Sequence, residues 1–269
     1  MPELPEVETI QRYLSLHLVK EKIDTLKINW AGSVIVTEPA NISLLHNQRV
    51  QAICRRGKYL LCELDDFDLV IHLRMTGQIH FNPAKPPKDH VHWVLKLSDD
   101  KYVYYRDVRK FGRLYLTLKG QGLAISGAKK IGPEPWEIDL KYWQDKLKSK
   151  RSIKGLILDQ QVIAGIGNIY ADEALYLAKI HPETQSNNIS EEKATELLKA
   201  IRTVLDNGIR YGGTSFRDYI GGDGKKGDMQ AHLQVYQKAG QSCPNCGEVI
   251  TRIKVGGRSS HFCPSCQHI

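Results

Sequence analysis

Val7, Ile10, Leu14 and Leu18 recur at the spacing of one helix face, so the chain opens on an amphipathic helix. Its start is marked too. Pro5 suits a first helical position, where a missing N–H costs nothing, and Glu6 and Glu8 complement the positive end of the helix dipole. From about residue 23 to 118 the pattern changes to short runs rich in β-branched and aromatic residues. RVQAICRRGKYLLCEL, DLVIHLRMTGQIHF, HWVLKLSD, KYVYYRD and RLYLTL, parted by Asp-Asp or Ser-Asp-Asp turns, read as strands. They predict a β-sandwich or barrel-like first domain with the helix packed on it.

KIGPEPWE (130–137) holds two prolines and a glycine and reads as a linker. Beyond it the period is helical, through KYWQDKLKSK, SIKGLILDQQ, IYADEALYLAKI and SEEKATELLKAIRTVLDNGI. Ser190 suits the N-cap of the last helix, and Asn207-Gly208 its stop. Glycine dominates 212–229, which reads as a loop. The expected organisation is α+β and multidomain: a sandwich over 1–118, a linker over 119–136, a helical domain with the glycine-rich loop over 137–233, and a cysteine-bearing hairpin over 234–269.

Charge narrows the function classes. The 269 residues carry a net charge of +8 with a pI near 9.1, spread along the chain, which favours a polyanionic partner. No apolar run approaches a membrane helix and no signal-peptide pattern opens the chain, so the expected location is the cytoplasm. Of six cysteines, Cys54 and Cys62 lie in apolar strand-like sequence and are expected as buried thiols. Cys243 and Cys246, then Cys263 and Cys266, form two C-x-x-C knuckles with sixteen residues between them. That spacing predicts a closed, structural four-thiolate zinc site. Between the knuckles, a Gly256-Gly257 turn would present Arg258 at its tip as a phosphate reader or a solvated charge.

Other stretches leave two readings open. In VIAGIGNIYADEAL, Gly165, Gly167 and Asn168 precede a helix, as either an anion site or a plain capping turn. The basic run KSKRSIK upstream favours phosphate, with Lys150 and Lys154 as contacts. Lys58 follows Gly57 inside an apolar strand, where the ordinary reading is a lysine snorkelling from a sheet edge. Arg109 and Phe111, with Met75 in a second loop, either pack or enter a duplex as wedges. The helix start does not account for Pro2 and Glu3, which become a free secondary amine and a neighbouring carboxylate once Met1 is trimmed.

PELPEVE, RRGKYL, HLRMTG, DVRKFG, IGPEP, GIGNIYADE, HLQVY and CPNC…CPSC run in order along almost the whole chain. Together they resemble the bacterial formamidopyrimidine-DNA glycosylase family. The resemblance implies a β-sandwich, a helix–two-turn–helix module and a zinc ribbon that touches DNA. It implies a monomeric base-excision-repair enzyme, in use at the nucleoid, acting on double-stranded DNA with oxidised bases or abasic sites. Its amine nucleophile would be Pro2, its acid Glu3, and the residues for β- and δ-elimination Lys58 and Arg258. DNA contacts would fall on His90, Arg109, Lys150 and Asn168, and void-filling side chains on Met75, Arg109 and Phe111. The glycine-rich 221–227 loop would close over the extruded base.

Two positions depart from the family pattern: HVH at 90–92 stands in place of HDH, and Lys238 in place of arginine. PELPEV and the glycine loop favour oxidised purines (8-oxoguanine and formamidopyrimidines) over the oxidised pyrimidines of the endonuclease VIII-like sister group. A non-catalytic zinc-ribbon binder of distorted DNA would have no use for Pro2, Glu3 and Lys58.

Overall fold

Helix α1 (Leu4–Leu18) forms where the apolar period places it, and Val7, Ile10, Leu14 and Leu18 are all buried. Its start is one residue earlier than Pro5 suggests. Glu3 is the N-cap, and its backbone N–H donates to the Glu6 carboxylate at 2.7 Å in a capping box. The computed structural model describes residues 1–82, 86, 88–215 and 226–268. The chain divides into two units: Met1–Lys130 with Tyr211–Gln230, and Ile131–Arg210 with Ala231–Ile269.

The first unit pairs two sheets. Strands β1 (Ile23–Ile28), β2 (Val34–Val36), β3 (Ala52–Arg56), β4 (Tyr59–Glu63), β5 (Phe67–His72), β6 (Gln78–Asn82), β7 (Val91–Leu97), β8 (Tyr102–Arg106) and β9 (Arg113–Leu118) follow α1. One sheet has the order β2-β9-β5-β4-β3 and the other β1-β7-β8-β6; only the β2–β9 pair is parallel. Strand β4 alternates buried and half-buried positions as a sheet with one covered face should. Strand β5 is buried throughout, because α2 (Gly122–Ile125) covers its outer side. A Cβ at Gly122 would stand 2.6 Å from Val70, so only glycine allows that approach.

Between the sheets one apolar cluster joins Leu60, Leu69, Ile71 and Leu114 to Leu26, Ile79, Trp93 and Val103, with the inner face of α1 packed on it. Each such side chain contributes about 1.5–3 kcal/mol on full burial. The sequence expectations need two corrections in this unit. Cys62 is buried but Cys54 is exposed, since it points to the other side of β3. Residues 119–130, expected as linker, pack on β5 and β9 through α2. By their contacts the described residues 211–215 and 226–230 group with the sandwich. The Thr214 N–H donates to the Glu6 carboxylate at 2.7 Å, a bond with no local sequence signal.

The second unit contains α3 (Leu140–Leu147), α4 (Ile153–Ile157), α5 (Asn168–Leu177) and α6 (Glu191–Arg210). Ser190 caps α6 by accepting from the Lys193 N–H. Contrary to expectation, α6 runs through Asn207-Gly208. Gly208 is buried on the same face as Leu197, Ile201, Val204 and Leu205, so a packed face carries the helix past a weak helix former. After α7 (Met229–His232), β10 (Thr251–Val255) and β11 (Arg258–Phe262) form an antiparallel hairpin. Its two turn residues, Gly256 and Gly257, have φ of 53° and 80°, which glycine adopts at no steric cost. Among the described residues no helix is long and apolar enough to cross a membrane.

Candidate functional site

At the head of α1, Pro2 and Glu3 are buried while Met1 remains 48% exposed. The Glu6 carboxylate sits behind them, with Glu3 on one oxygen and Thr214 on the other. Gly213 (φ 83°) lets the chain approach, since a Cβ there would meet Glu6 at 2.8 Å. Glu8 ties the helix to β3 through Arg55 at 2.7 Å. Burial pushes the Glu8 carboxyl up, but hydrogen bonds from Arg55 and Arg12 hold it below the usual range.

The β3–β4 turn, opened by Gly57 (φ 56°), delivers Lys58, a buried lysine only 7% exposed. Across β4, Tyr59 pairs in register with His72 and their rings meet edge to face at 4.5 Å. Burial, together with the nearby charges of Arg74 and Lys58, pulls the His72 pKa down to about 3. Its Nδ1 accepts the Arg74 N–H at 3.0 Å, so the ring is a neutral acceptor beside Lys58.

Met75, Arg109 and Phe111, from two loops, meet at the surface. Arg109 Nη1 lies 3.2 Å from Met75 Sδ, and its guanidinium lies 4.8 Å over the Phe111 ring. Met75 and Phe111 are 43% and 46% exposed, an apolar pair left in water around a cation. His90 is exposed with φ 59°, and its carbonyl accepts the Asp107 N–H. Val91, the departure in HVH, is buried at a bulge in the β7–β8 ladder, where an apolar side chain fits.

In the second unit Gly167 is the N-cap of α5 and Asn168 its first residue. Asn168 Nδ2 donates to the Ser259 carbonyl at 2.9 Å, leaving Oδ1 buried without a hydrogen-bond partner. Lys150 is exposed. Lys154 is not: expected at a phosphate, it is fully buried and bonds Asp172 (2.6 Å), the Ser259 carbonyl (2.7 Å) and Ser260 Oγ (2.7 Å). A long stem followed by a serviced ammonium can be packed inside, which sequence spacing alone does not reveal. Asp172 also accepts the His261 N–H at 2.9 Å. Glu173 accepts the N–H groups of Gln234, Val235 and Tyr236 at 2.8–2.9 Å. Burial raises the Glu173 carboxyl despite those three donors.

Asp172 fastens the hairpin to α5 and Glu173 fastens the 234–236 segment that precedes it, while Arg258 stays exposed beside its glycine turn. The sulfurs of Cys243, Cys246, Cys263 and Cys266 lie within 4.8 Å of one another. The Tyr176 hydroxyl is 3.3 Å from Cys243 Sγ, and Asn245 Nδ2 donates to Cys266 Sγ at 3.3 Å. This is the donor set of one structural zinc, four thiolates with outer donors and no open position.

Family models match three consecutive parts: a formamidopyrimidine-DNA glycosylase N-terminal domain over 1–114, its H2TH domain over 131–219, and a zinc finger found in FPG and IleRS over 240–269. The chain is 42% identical to the formamidopyrimidine-DNA glycosylase of Desulfitobacterium hafniense over 99% of its length and 100% of that protein. The chain belongs to the formamidopyrimidine-DNA glycosylase family. The enzyme of that name from Bacillus subtilis is likewise 42% identical, with 99% of both chains covered. Among solved structures, the wild-type Lactococcus lactis Fpg with DNA containing N7-benzyl-Fapy-dG matches at TM-score 0.92 and 42% identity over 100% of both chains. The same bacterium's Fpg with DNA containing an abasic site matches at TM-score 0.91 and 42% identity, covering 99% of this chain and 100% of that one.

Within this glycosylase-family fold, each group of residues named from the sequence has a definite place. Pro2 and Glu3 share the head of α1, Lys58 is buried beside His72, and the three void-filling candidates touch. Asn168 bonds the residue after Arg258, while His90 and Lys150 stand at the surface. Lys238, the other departure from the family pattern, donates to the Leu233 carbonyl. The glycine-rich loop lies outside the described residues over 221–225. Sequence reasoning missed His72, Asp107, Asp172 and Glu173. The available signal was a histidine or acid inside an otherwise apolar or glycine-flanked run, where an unpartnered polar group would be costly.

Proposed function

We propose that this chain is a base-excision DNA glycosylase with AP lyase activity, removing oxidised purines through a Schiff base on Pro2. The observation that carries the reading is the buried Pro2–Glu3 pair at the head of α1, where removal of Met1 would leave a secondary amine next in sequence to a carboxyl-bearing residue. Lactococcus lactis relatives solved on Fapy-dG and abasic DNA support the substrate class.

Trimming of Met1 frees a secondary amine whose ordinary pKa, about 8, leaves a usable neutral fraction near pH 7. A lysine, near 10.4, would need strong perturbation to do the same. The amine attacks the sugar carbon that bears the damaged base, and the glycosidic bond breaks as the base leaves. Glu3 supplies a proton to the ring oxygen as the sugar opens. The resulting iminium keeps its positive charge and withdraws electrons, so loss of a proton from the next carbon expels the 3′ phosphate. Lys58 serves this β-elimination and Arg258 the following δ-elimination. His90, Arg109, Lys150 and Asn168 hold the DNA backbone. Met75, Arg109 and Phe111 fill the space of the extruded nucleotide, which must leave the stack to reach Pro2.

Borohydride reduction tests the reading. Met1-free protein should give a covalent adduct with duplex DNA bearing 8-oxoguanine or an abasic site, and Pro2 replacement should abolish it. No adduct from Met1-free protein overturns the proposal.

A further inference from the structure

Asp107 has no role in the chemistry above, yet it is fully buried and its carboxylate collects five donors. Oδ1 accepts from Thr76 Oγ1 (2.5 Å) and the Arg109 N–H (3.1 Å). Oδ2 accepts from the Phe111 N–H (2.8 Å), the Gly112 N–H (2.9 Å) and the Tyr105 hydroxyl (3.0 Å). Its backbone carbonyl accepts from His92 Nε2 at 2.6 Å. All five carboxylate donors are neutral, and hydrogen bonds to an ionised acceptor are about twice as strong as neutral ones. Burial alone would raise this carboxyl, but the donors from Gly112, Thr76, Tyr105 and Arg109 hold it below its ordinary range.

The same contacts dictate where the neighbouring side chains go. With the N–H groups of Arg109 and Phe111 turned inward, both side chains are left outward. Lys110 between them takes φ 61°, a left-handed conformation that costs a non-glycine residue about 1–2 kcal/mol. Thr76 adjoins Met75, so Oδ1 also joins the second loop to the first. Tyr105 cannot swing away. A Cβ at Gly112 would stand 1.6 Å from its hydroxyl oxygen and one at Gly77 2.4 Å, so both glycines are needed to seat it.

We propose that Asp107 is a positioning residue that sets Met75, Arg109 and Phe111 as a preformed wedge before DNA arrives. This rests on the glycosylase reading above. The wedge matters where two strands must be parted and held apart, and less on a single strand. Asp107 therefore governs how much faster the enzyme works on duplex than on single-stranded DNA.

The test compares wild type with Asp107→Asn, whose amide turns N–H groups toward donors, on the same abasic site in duplex and in single-stranded DNA. The duplex-to-single-strand ratio of kcat/KM should fall at least about tenfold, given the strength of the bonds lost. Fluorescence of 2-aminopurine opposite the lesion, which reports unstacking by the wedge, should rise with wild type and stay low with the variant. In a Phe111→Ala background Asp107→Asn should add less than about twofold, because both act on one device. Should Asp107→Asn not fold, Thr76→Val removes a single donor and should lower the ratio in the same direction. An unchanged ratio, or effects that multiply with Phe111→Ala, overturns the assignment. Absence of wild-type reaction on the abasic duplex would instead remove the glycosylase reading, and this inference with it.

Discussion

The sandwich unit and the ribbon end of the second unit solve one problem with different means. Each carries an exposed arginine, Arg109 in one and Arg258 in the other, on a loop or hairpin whose backbone N–H groups are gathered by a buried carboxylate, Asp107 or Asp172. In the sandwich, Asp107 works beside an apolar cluster drawn from two sheets and a helix, so it aims side chains on a body already held together. The ribbon's cluster is only Val235, Cys243, Ile250 and Cys263, with Tyr176 and Cys266 packed on it. There Asp172, Glu173 and the thiolates hold the structure as well as aim it. Where apolar area is scarce, polar staples and metal take over its work.

Zinc removal should give the largest effect. Ligation of a structural zinc by thiolates is worth on the order of 10 kcal/mol. After chelation, hydrogen exchange should accelerate across β10 and β11 while β5 amides keep their protection. A hairpin still protected without zinc would mean that Asp172 and Glu173 suffice, and the contrast would fail.

Asp172→Ala comes next. It strands Lys154 in the interior, and removing one partner of a buried pair costs about 3–5 kcal/mol. Urea unfolding of the second unit should show that loss. Lys154→Met with Asp172→Leu should recover much of it, since an apolar pair leaves no orphaned charge.

The smallest effect concerns acid. The folded pKa of His72, about 3, lies below the unfolded value of about 6.5, so the unfolded chain takes up the proton first as pH falls. Its contribution is complete above pH 6.5 and drains away toward pH 3. His72→Gln should flatten that limb by on the order of 1 kcal/mol between pH 7 and 5, read from urea midpoints. An equal slope in both proteins would show that the sandwich pays nothing for this neutral ring.

Features set by local pattern were legible before the structure. The face of α1, the strands around Asp65-Asp66 and Ser98–Asp100, the Gly256-Gly257 turn and the cysteine spacing all depend on neighbours in sequence. Lys154 was misjudged because a basic run looks the same whether its lysine meets phosphate or a buried aspartate 18 positions away. Gly208 was misjudged because the face that packs decides where α6 ends. In RDVRKFG the aspartate beside a glycine hints at a local turn, but the tie to the second loop comes from Thr76, 31 positions away, which only folding supplies. The bond from Thr214 to Glu6 spans 208 positions, so no local pattern announces it.

That last bond also has a consequence for synthesis. The N-terminus leaves the ribosome first, whereas Thr214 follows only after most of the chain has been made. Until then Glu6 lacks this partner. In the finished fold Met1 is 48% exposed beside a buried Pro2, so what the late bond completes is the cap of the helix and not a cover over the terminal residue.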